Sequence, residues 1–444
     1  MSESSEGMTL RIARFIVETD ASSIPAEIRE HAKIALLDWY GVTLAGKDDP
    51  LVLKIVRLSD TLGGREQATI LGHGKKTQVC QAALVNGAAS HALDYDDTLV
   101  SFLGHPSVAL FPGLLALAEW RRFAGIDLLT AYIIGFKVGA VLGACSGLGH
   151  YLAGWHSTST IGHLASAAAC ARLLRLDLTA TVHAIGIAAT QASGLKRVFG
   201  TMCKPFHAGK ASQGGLLAAL LAEDGFDAPR DTLEGPQGFF DAFRGEKNEQ
   251  ALNTLGVTWD IENLAQKYHA SCHFTHSPIE AAWKAVGTSR SNPDEIHSIR
   301  VRTSRAALSA ANQMDPTTGL AAKFSIPYCV ANAILKGDTG LEAFKDERVN
   351  DPSVRALMNK ISVEVEDPRN DLGATVEVVT QAGEVRSASS DILVEVVPLE
   401  VKREKILAKF EDLSRPIIGA GRAAAVREAI LGIERLSSLE VLFS

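Results

Sequence analysis

Polar residues able to do chemistry concentrate in a few short stretches, each at the end of an apolar run. The first is Ser90-His91-Ala92-Leu93-Asp94-Tyr95-Asp96-Asp97-Thr98, followed by Gly104-His105-Pro106-Ser107. Acids at the C-terminal end of a helix face the negative end of its dipole, so they need a nearby cation or metal, or a use as bases. For Asp96 and Asp97 a second reading stands, that they cap the next segment. The second stretch, Gly149 to Gly162, carries Tyr151, His156, Ser157 and Thr158 into a small-residue helix. Hydroxyls and free backbone N–H groups at a helix start suit an anion, although His156 alone reads more simply as a hydrogen-bonded core histidine. The third, Lys204-Pro205-Phe206-His207, opens a glycine-rich helix, and with Lys196 and Arg197 it forms a cationic patch beside an apolar core. The fourth sets Met314-Asp315-Pro316 ahead of Lys323-Phe324-Ser325-Ile326-Pro327-Tyr328, where Tyr328 reads either as a site group or as a core aromatic. The fifth, Ser271 to His276, has metal-ligand residue types but no partner pair at a suitable spacing. His, Lys, Asp and Tyr beside an apolar core suit proton transfer on an anionic substrate.

The elements that must position these groups change character along the chain. Roughly the first 260 residues read as helix after helix. Pro25 to Leu44 has Ser23 as its expected cap, Asp127 is expected to cap a helix through Val138, and Asp177 one through Gly194. Ile161–Ala171, Ala180–Ala192 and Ala208–Ala222 are dense in Ala and Gly, which lets helix axes approach closely. Near Tyr268 the period shifts to two: Ile296–Arg302, Ile361–Val365 and a hairpin from Thr375 to Ser387 read as strands. Helical stretches lie between them at Pro278–Val286, Gly319–Leu335 and Pro352–Asn359. After Pro398 the helical period returns. The fold class expected is therefore mainly α, a large all-helical domain with an inserted smaller α+β domain: 1–265, then 266–396, then 397–444 returning to the helices.

Composition narrows the function classes. With 444 residues, 46% hydrophobic and 21% charged, the chain is ordinary globular material. Its net charge of −7 and lack of a like-charge block argue against nucleic acid as a partner. An anionic substrate must then be met by a local cluster of cations. No segment reaches the roughly 20 uninterrupted apolar residues of a membrane span, and Leu128–Leu142 reads as a buried helix. The N-terminal stretch lacks a signal-peptide pattern, and the six cysteines are scattered without a CxxC pair, so no membrane association and a cytoplasmic location are expected. There is no P-loop, no GxGxxG after a strand, no GxSxG elbow and no HExxH helix.

Taken together, His91 to Thr98, Gly104 to Ser107, Gly154-Trp155-His156, Lys204 to Gly209, Leu233 to Phe240 and Lys323 to Tyr328 resemble the MmgE/PrpD family, in the family's order and over most of the chain. The resemblance implies that the smaller α+β domain is a lid, that the chain forms a homodimer, and that it acts on a small di- or tricarboxylate with no metal and no organic cofactor. It carries catalytic roles onto Asp94, His105, His156, Lys204 and Tyr328, with Thr98 assisting. His207, Lys323 and Ser157 follow as substrate contacts. In this reading Lys204 and His156 bind carboxylates, His105 oriented by Asp94 moves the proton, and Tyr328 or Tyr151 serves the opposite face. The implied reaction is that of a 2-methylcitrate dehydratase-like lyase, making a carbanion beside a carboxylate and expelling a leaving group. Epimerisation of an iminodisuccinate-like dicarboxylate is the alternative, suggested by Gly149 to His156 and by Met314-Asp315-Pro316. Decarboxylation of cis-aconitate comes after it: the Thr98–His105 spacing is one residue longer than in that branch, and Leu99-Val100 replaces a Trp-His pair.

Overall fold

The computed structural model describes residues 6–287, 293–366, 372–392 and 397–443. The chain forms two compact units, one of Met1–Gln266 with Lys402–Ser444, the other of Lys267–Val401. Residue 396, the expected end of the inserted domain, lies outside the described residues.

The first unit is built on α1 (Met8–Glu18), α2 (Ala26–Gly46), α3 (Pro50–Leu62), α4 (Val79–Ala92), α5 (Pro106–Arg121), α6 (Gly125–Leu152), α7 (Ser157–Leu174), α8 (Leu178–Gln191) and α9 (Cys203–Glu223). A short two-stranded hairpin, β1 (Ala68–Ile70) and β2 (Lys75–Thr77), interrupts them. Local chemistry sets several starts: Asp49 accepts from Leu51 N–H with Pro50 in the first turn, and Asp177 accepts from Ala180 N–H. Two expected caps fail. Pro25 itself stands at the N-cap of α2 while Ser23 sits in a preceding 3₁₀ turn, and α6 begins at Gly125, two residues before Asp127. Past α9 the expected helices give way to turns, 3₁₀ segments and the single turn of α10 (Phe239–Ala242), because Gly225, Pro229, Gly235, Pro236 and Gly238 punctuate this stretch.

Helix α6 is long and apolar enough to cross a membrane by length and composition, but 94% of its most apolar 18-residue window is buried inside the unit. It breaks at Gly147, whose φ of 61° belongs to the left-handed region. Around it α4, α5, α7 and α9 pack on one another through small residues. A Cβ on Gly87 of α4 would lie 2.7 Å from Gly209 Cα of α9, and one on Gly209 would lie 2.2 Å from Leu84 O. Backbones this close exclude any larger residue. The chain returns to this unit from Lys402 onward.

The second unit is α+β. It holds α11 (His276–Val286), β3 (Ile296–Thr303), α12 (Arg305–Ala310), α13 (Gly319–Ala322), α14 (Ile326–Lys336), α15 (Asp346–Val349), α16 (Pro352–Met358), β4 (Ile361–Val365), β5 (Ala374–Thr380) and β6 (Val385–Ser390). The sheet order is β4-β3-β5-β6, with β3 and β4 parallel and the other pairs antiparallel. Alternation along β3 buries Ile296, Ile299, Val301 and Thr303, and α11 packs on β5 and β6. The helix expected over Gly319–Leu335 is two, α13 and α14, because Ser325 caps a new start by accepting from Tyr328 N–H. The last two helices are α17 (Leu399–Ile418) and α18 (Ala420–Leu431). From Lys402 onward they belong to the helical unit, where Phe410 of α17 lies against Tyr40 of α2 with ring centroids 6.4 Å apart.

Candidate active site

Three local features assemble the site of the helical unit. The end of α4 supplies His91, and the turn behind it supplies Asp94, Asp96 and Asp97. Asp94 takes a φ of 52°, a left-handed conformation that a short polar side chain tolerates. Helices α5 and α7 each start on a histidine, His105 and His156, with no side-chain cap on either. His105 N–H donates to Thr158 Oγ1 at 3.1 Å, which ties the two starts together. The positive dipole ends of the two helices therefore adjoin, an arrangement that favours an anion. Helix α9 brings Lys204 and His207 from the third direction.

Each acid in the turn meets its own partner. Asp94 Oδ1 is 2.6 Å from Lys204 Nζ. Asp96 is buried between two imidazoles, with Oδ1 2.9 Å from His91 Nδ1 and Oδ2 2.7 Å from His105 Nδ1. Asp97 accepts from Ser107 N–H at 3.3 Å and bonds Ser107 Oγ at 2.5 Å, and Ser107 Oγ is 2.8 Å from Tyr132 OH. The carboxylate on His105 Nδ1 is thus Asp96, not the expected Asp94. The reason is geometric: a single residue, Tyr95, separates the two acids, and Asp94 faces α9. Asp96 is also neither a cap nor a solvated acid. His91 and Asp96 were not among the expected catalytic groups, although both lie in the first polar stretch. Their signal was present as residue type; what was missing was the pairing across the turn.

The protonation pattern follows from this geometry. Burial opposes the charge on Asp96, but His91 and His105 outweigh it and hold the carboxyl well below its usual range. Burial pushes His105 down to about 4 against the opposing pull of Asp96, with His91 and Lys204 adding to the depression. Burial lowers His156 well below the ordinary imidazole value, helped by Lys204 and His91, and lowers His207 to about 4. Asp97 moves the other way, to about 8, because burial dominates and Asp38 and Asp96 add to it despite the Ser107 bond. At neutral pH His105, His156 and His207 are therefore neutral. An Nδ1 that donates to Asp96 carries the hydrogen, which leaves Nε2 of His105 as the basic nitrogen. His156 Nδ1 and His207 Nδ1 lie 3.0 Å apart, so one donates and the other accepts.

His91, Asp94, Asp96 and His105 each offer a donor atom within 4.8 Å of the others, the residue types of a divalent-cation site. Asp96 bonds His91 Nδ1 and lies 2.7 Å from His105 Nδ1, and Asp94 carries the Lys204 ammonium. Of the remaining expected residues, Thr98 is held through its backbone, N–H and C=O both bonded to Ala265. Ser157 is fully buried, and its hydroxyl has no partner among the described residues. Tyr151 ends α6 with Lys196 Nζ 3.4 Å above its ring. Phe199 links this corner to the histidines, 4.8 Å from the His156 ring and 5.7 Å from Lys204 Nζ.

Tyr328 and Lys323 belong to the second unit. The Tyr328 hydroxyl donates to Ala343 O, its ring is fully buried, and burial raises its pKa. Lys323 Nζ lies 5.7 Å from the Phe344 ring. The Ser271–His276 stretch is a ring cluster in that unit, with His276 4.7 Å from His269 and 4.6 Å from His273 between centroids. It forms no metal-ligand group among the described residues.

Comparison with known proteins gives a consistent picture. Residues 10–251 match the MmgE/PrpD N-terminal domain and residues 269–435 the MmgE/PrpD C-terminal domain. The chain is 28% identical to a cis-aconitate decarboxylase of Aspergillus terreus, over 99% of this chain and 96% of that protein. It is 26% identical to the cis-aconitate decarboxylase of Homo sapiens, over 93% and 89%. It is 28% identical to the mitochondrial 2-methylcitrate dehydratase of Yarrowia lipolytica, over 77% and 69%.

Proposed function

This chain belongs to the MmgE/PrpD family along both of its domains, and on that premise we propose that it is a cofactor-independent lyase acting on a small tricarboxylate by proton abstraction beside a carboxylate, of the 2-methylcitrate dehydratase kind. One observation carries the reading: His105 stands with Nδ1 against buried Asp96 and its pKa pushed to about 4. Such an imidazole is a base at rest, and elimination begins by removing a C–H proton. Lys204, with the adjoining starts of α5 and α7, holds the carboxylate that takes up the developing charge. The His156–His207 pair offers an N–H that hydrogen-bonds the departing hydroxyl, which leaves as water with the proton that His105 took from carbon. Charge on His105 after abstraction is offset by Asp96, the same carboxylate that set its tautomer.

Decarboxylation of cis-aconitate is the second reading. Relatives of that name match nearly the whole chain. The longer Thr98–His105 spacing is absorbed by a turn that Leu99 and Gly104 close with paired backbone bonds, so His105 still reaches Asp96. The two readings differ in the first step, since decarboxylation needs a proton delivered to carbon. Incubation with 2-methylcitrate, citrate, cis-aconitate and iminodisuccinate in deuterium oxide, followed by proton NMR, separates them. Alkene formation from a hydroxy acid is the expected result. Carbon dioxide loss from cis-aconitate replaces it with the second reading, and deuterium uptake with inversion but no alkene overturns both in favour of an epimerase.

A further inference from the structure

We propose that Lys409, on the C-terminal helix α17, is a positioning residue that holds the turn carrying Asp94 and Asp96 from behind. Its ammonium makes three contacts at once. Nζ lies 2.6 Å from Asp38 Oδ1 of α2, donates to Tyr95 O at 2.7 Å, and stands 3.8 Å above the Tyr95 ring. Lys409 is 7% exposed and Asp38 2%. The Tyr95 carbonyl is the peptide oxygen between Asp94, which faces Lys204, and Asp96, which lies between His91 and His105. Asp94 itself takes a left-handed φ of 52°, so the turn bends at the first of the two site acids.

A buried ion pair is a poor device for stability alone, because apolar residues of similar volume generally serve a core as well. What apolar residues cannot do is donate to a backbone carbonyl. The pair makes sense as a strut: Asp38 anchors the ammonium, and the ammonium fixes the peptide that sets the relative direction of the two site acids. This also gives the return of residues 402–444 to the helical unit a chemical purpose. The inference rests on reading Asp94, Asp96 and His105 as catalytic machinery.

The test is the double variant Asp38→Leu with Lys409→Met, which removes both charges together and leaves neither buried alone. The expected result is a folded protein with kcat on the substrate found above reduced at least tenfold and KM changed less. Nitrogen-15 NMR of the imidazoles should show the Nδ1–H form of His91 and His105 giving way to mixed tautomers. A folded double variant with wild-type kcat and wild-type imidazole spectra overturns the proposal. If that variant does not fold, Asp38→Asn with Lys409→Gln is read by the same criteria. Should the wild type turn over none of the four acids, the reading of function fails on its own, and the imidazole spectra still decide the role of Lys409.

Discussion

Asp96 faces the Nδ1 of two imidazoles, one on each oxygen, bonding His91 and standing 2.7 Å from His105, and so favours the same tautomer in both. An amide in its place has one acceptor and one donor. It can satisfy His91 or His105 in the Nδ1–H form, but its NH₂ group requires the opposite tautomer of the other ring. Asp96→Asn is therefore expected to lower kcat by about 10²- to 10⁴-fold while KM changes little, as for other bases deprived of their orienting carboxylate. Steady-state kinetics on the substrate identified by NMR checks this, and a near-normal kcat would mean that the tautomer is set elsewhere. At this scale the sequence showed which residues were present. It did not show that neighbouring acids divide their work, Asp94 with Lys204, Asp96 with two histidines, and Asp97 neutral against Ser107.

Helices carry the next level of the argument. The Ala- and Gly-rich runs announce close packing, since small residues are what close approach requires. They do not say which helix meets which. The crossing of α4 and α9 at Gly87 and Gly209 matters because α4 ends in His91 and α9 begins near Lys204 and His207. A Cβ on Gly209 would sit 2.2 Å from Leu84 O and 3.1 Å from Ala88 N, backbone atoms that move only if the helix moves. Gly209→Ala is expected to destabilise the protein by about 1–3 kcal/mol. It should also raise KM, because separating the helices draws Lys204 from Asp94. Thermal melts and KM together check this; an unchanged KM in a destabilised variant would detach the crossing from the site.

For the molecule as a whole, the buried histidines set a pH window. His31, His105, His163 and His207 are each lowered to about 4, and His156 and His276 lie well below the ordinary value, burial being the leading cause throughout. In the unfolded chain these groups titrate near the free value of about 6.5. Their contribution to stability is thus fully present above about 6.5 and is lost as pH falls toward 4, where the unfolded state binds protons that the folded state refuses. Asp97 works in the opposite sense: its folded pKa of about 8 lies above the unfolded value, so its contribution is present at low pH and declines as pH rises through 8. Chemical denaturation at pH 7, 6, 5 and 4.5 should show stability falling steadily across the acid range. A flat profile down to pH 4.5 would mean that these imidazoles are charged or solvated in the folded protein.

The residues by themselves determined the composition class, the helix-to-strand change near Tyr268, the strand at Ile361–Val365 and the polar stretches from which the helical unit's site is built. These are local matters, governed by side-chain period and by residue chemistry within a few positions. Only the tertiary structure decided that Asp96 rather than Asp94 faces His105, that β4 runs parallel to β3, and that Lys409 reaches Tyr95 across more than 300 residues of chain. Such pairings depend on which backbones can approach and which buried charges must find a partner. Both are properties of the packed chain, and no window of sequence contains them.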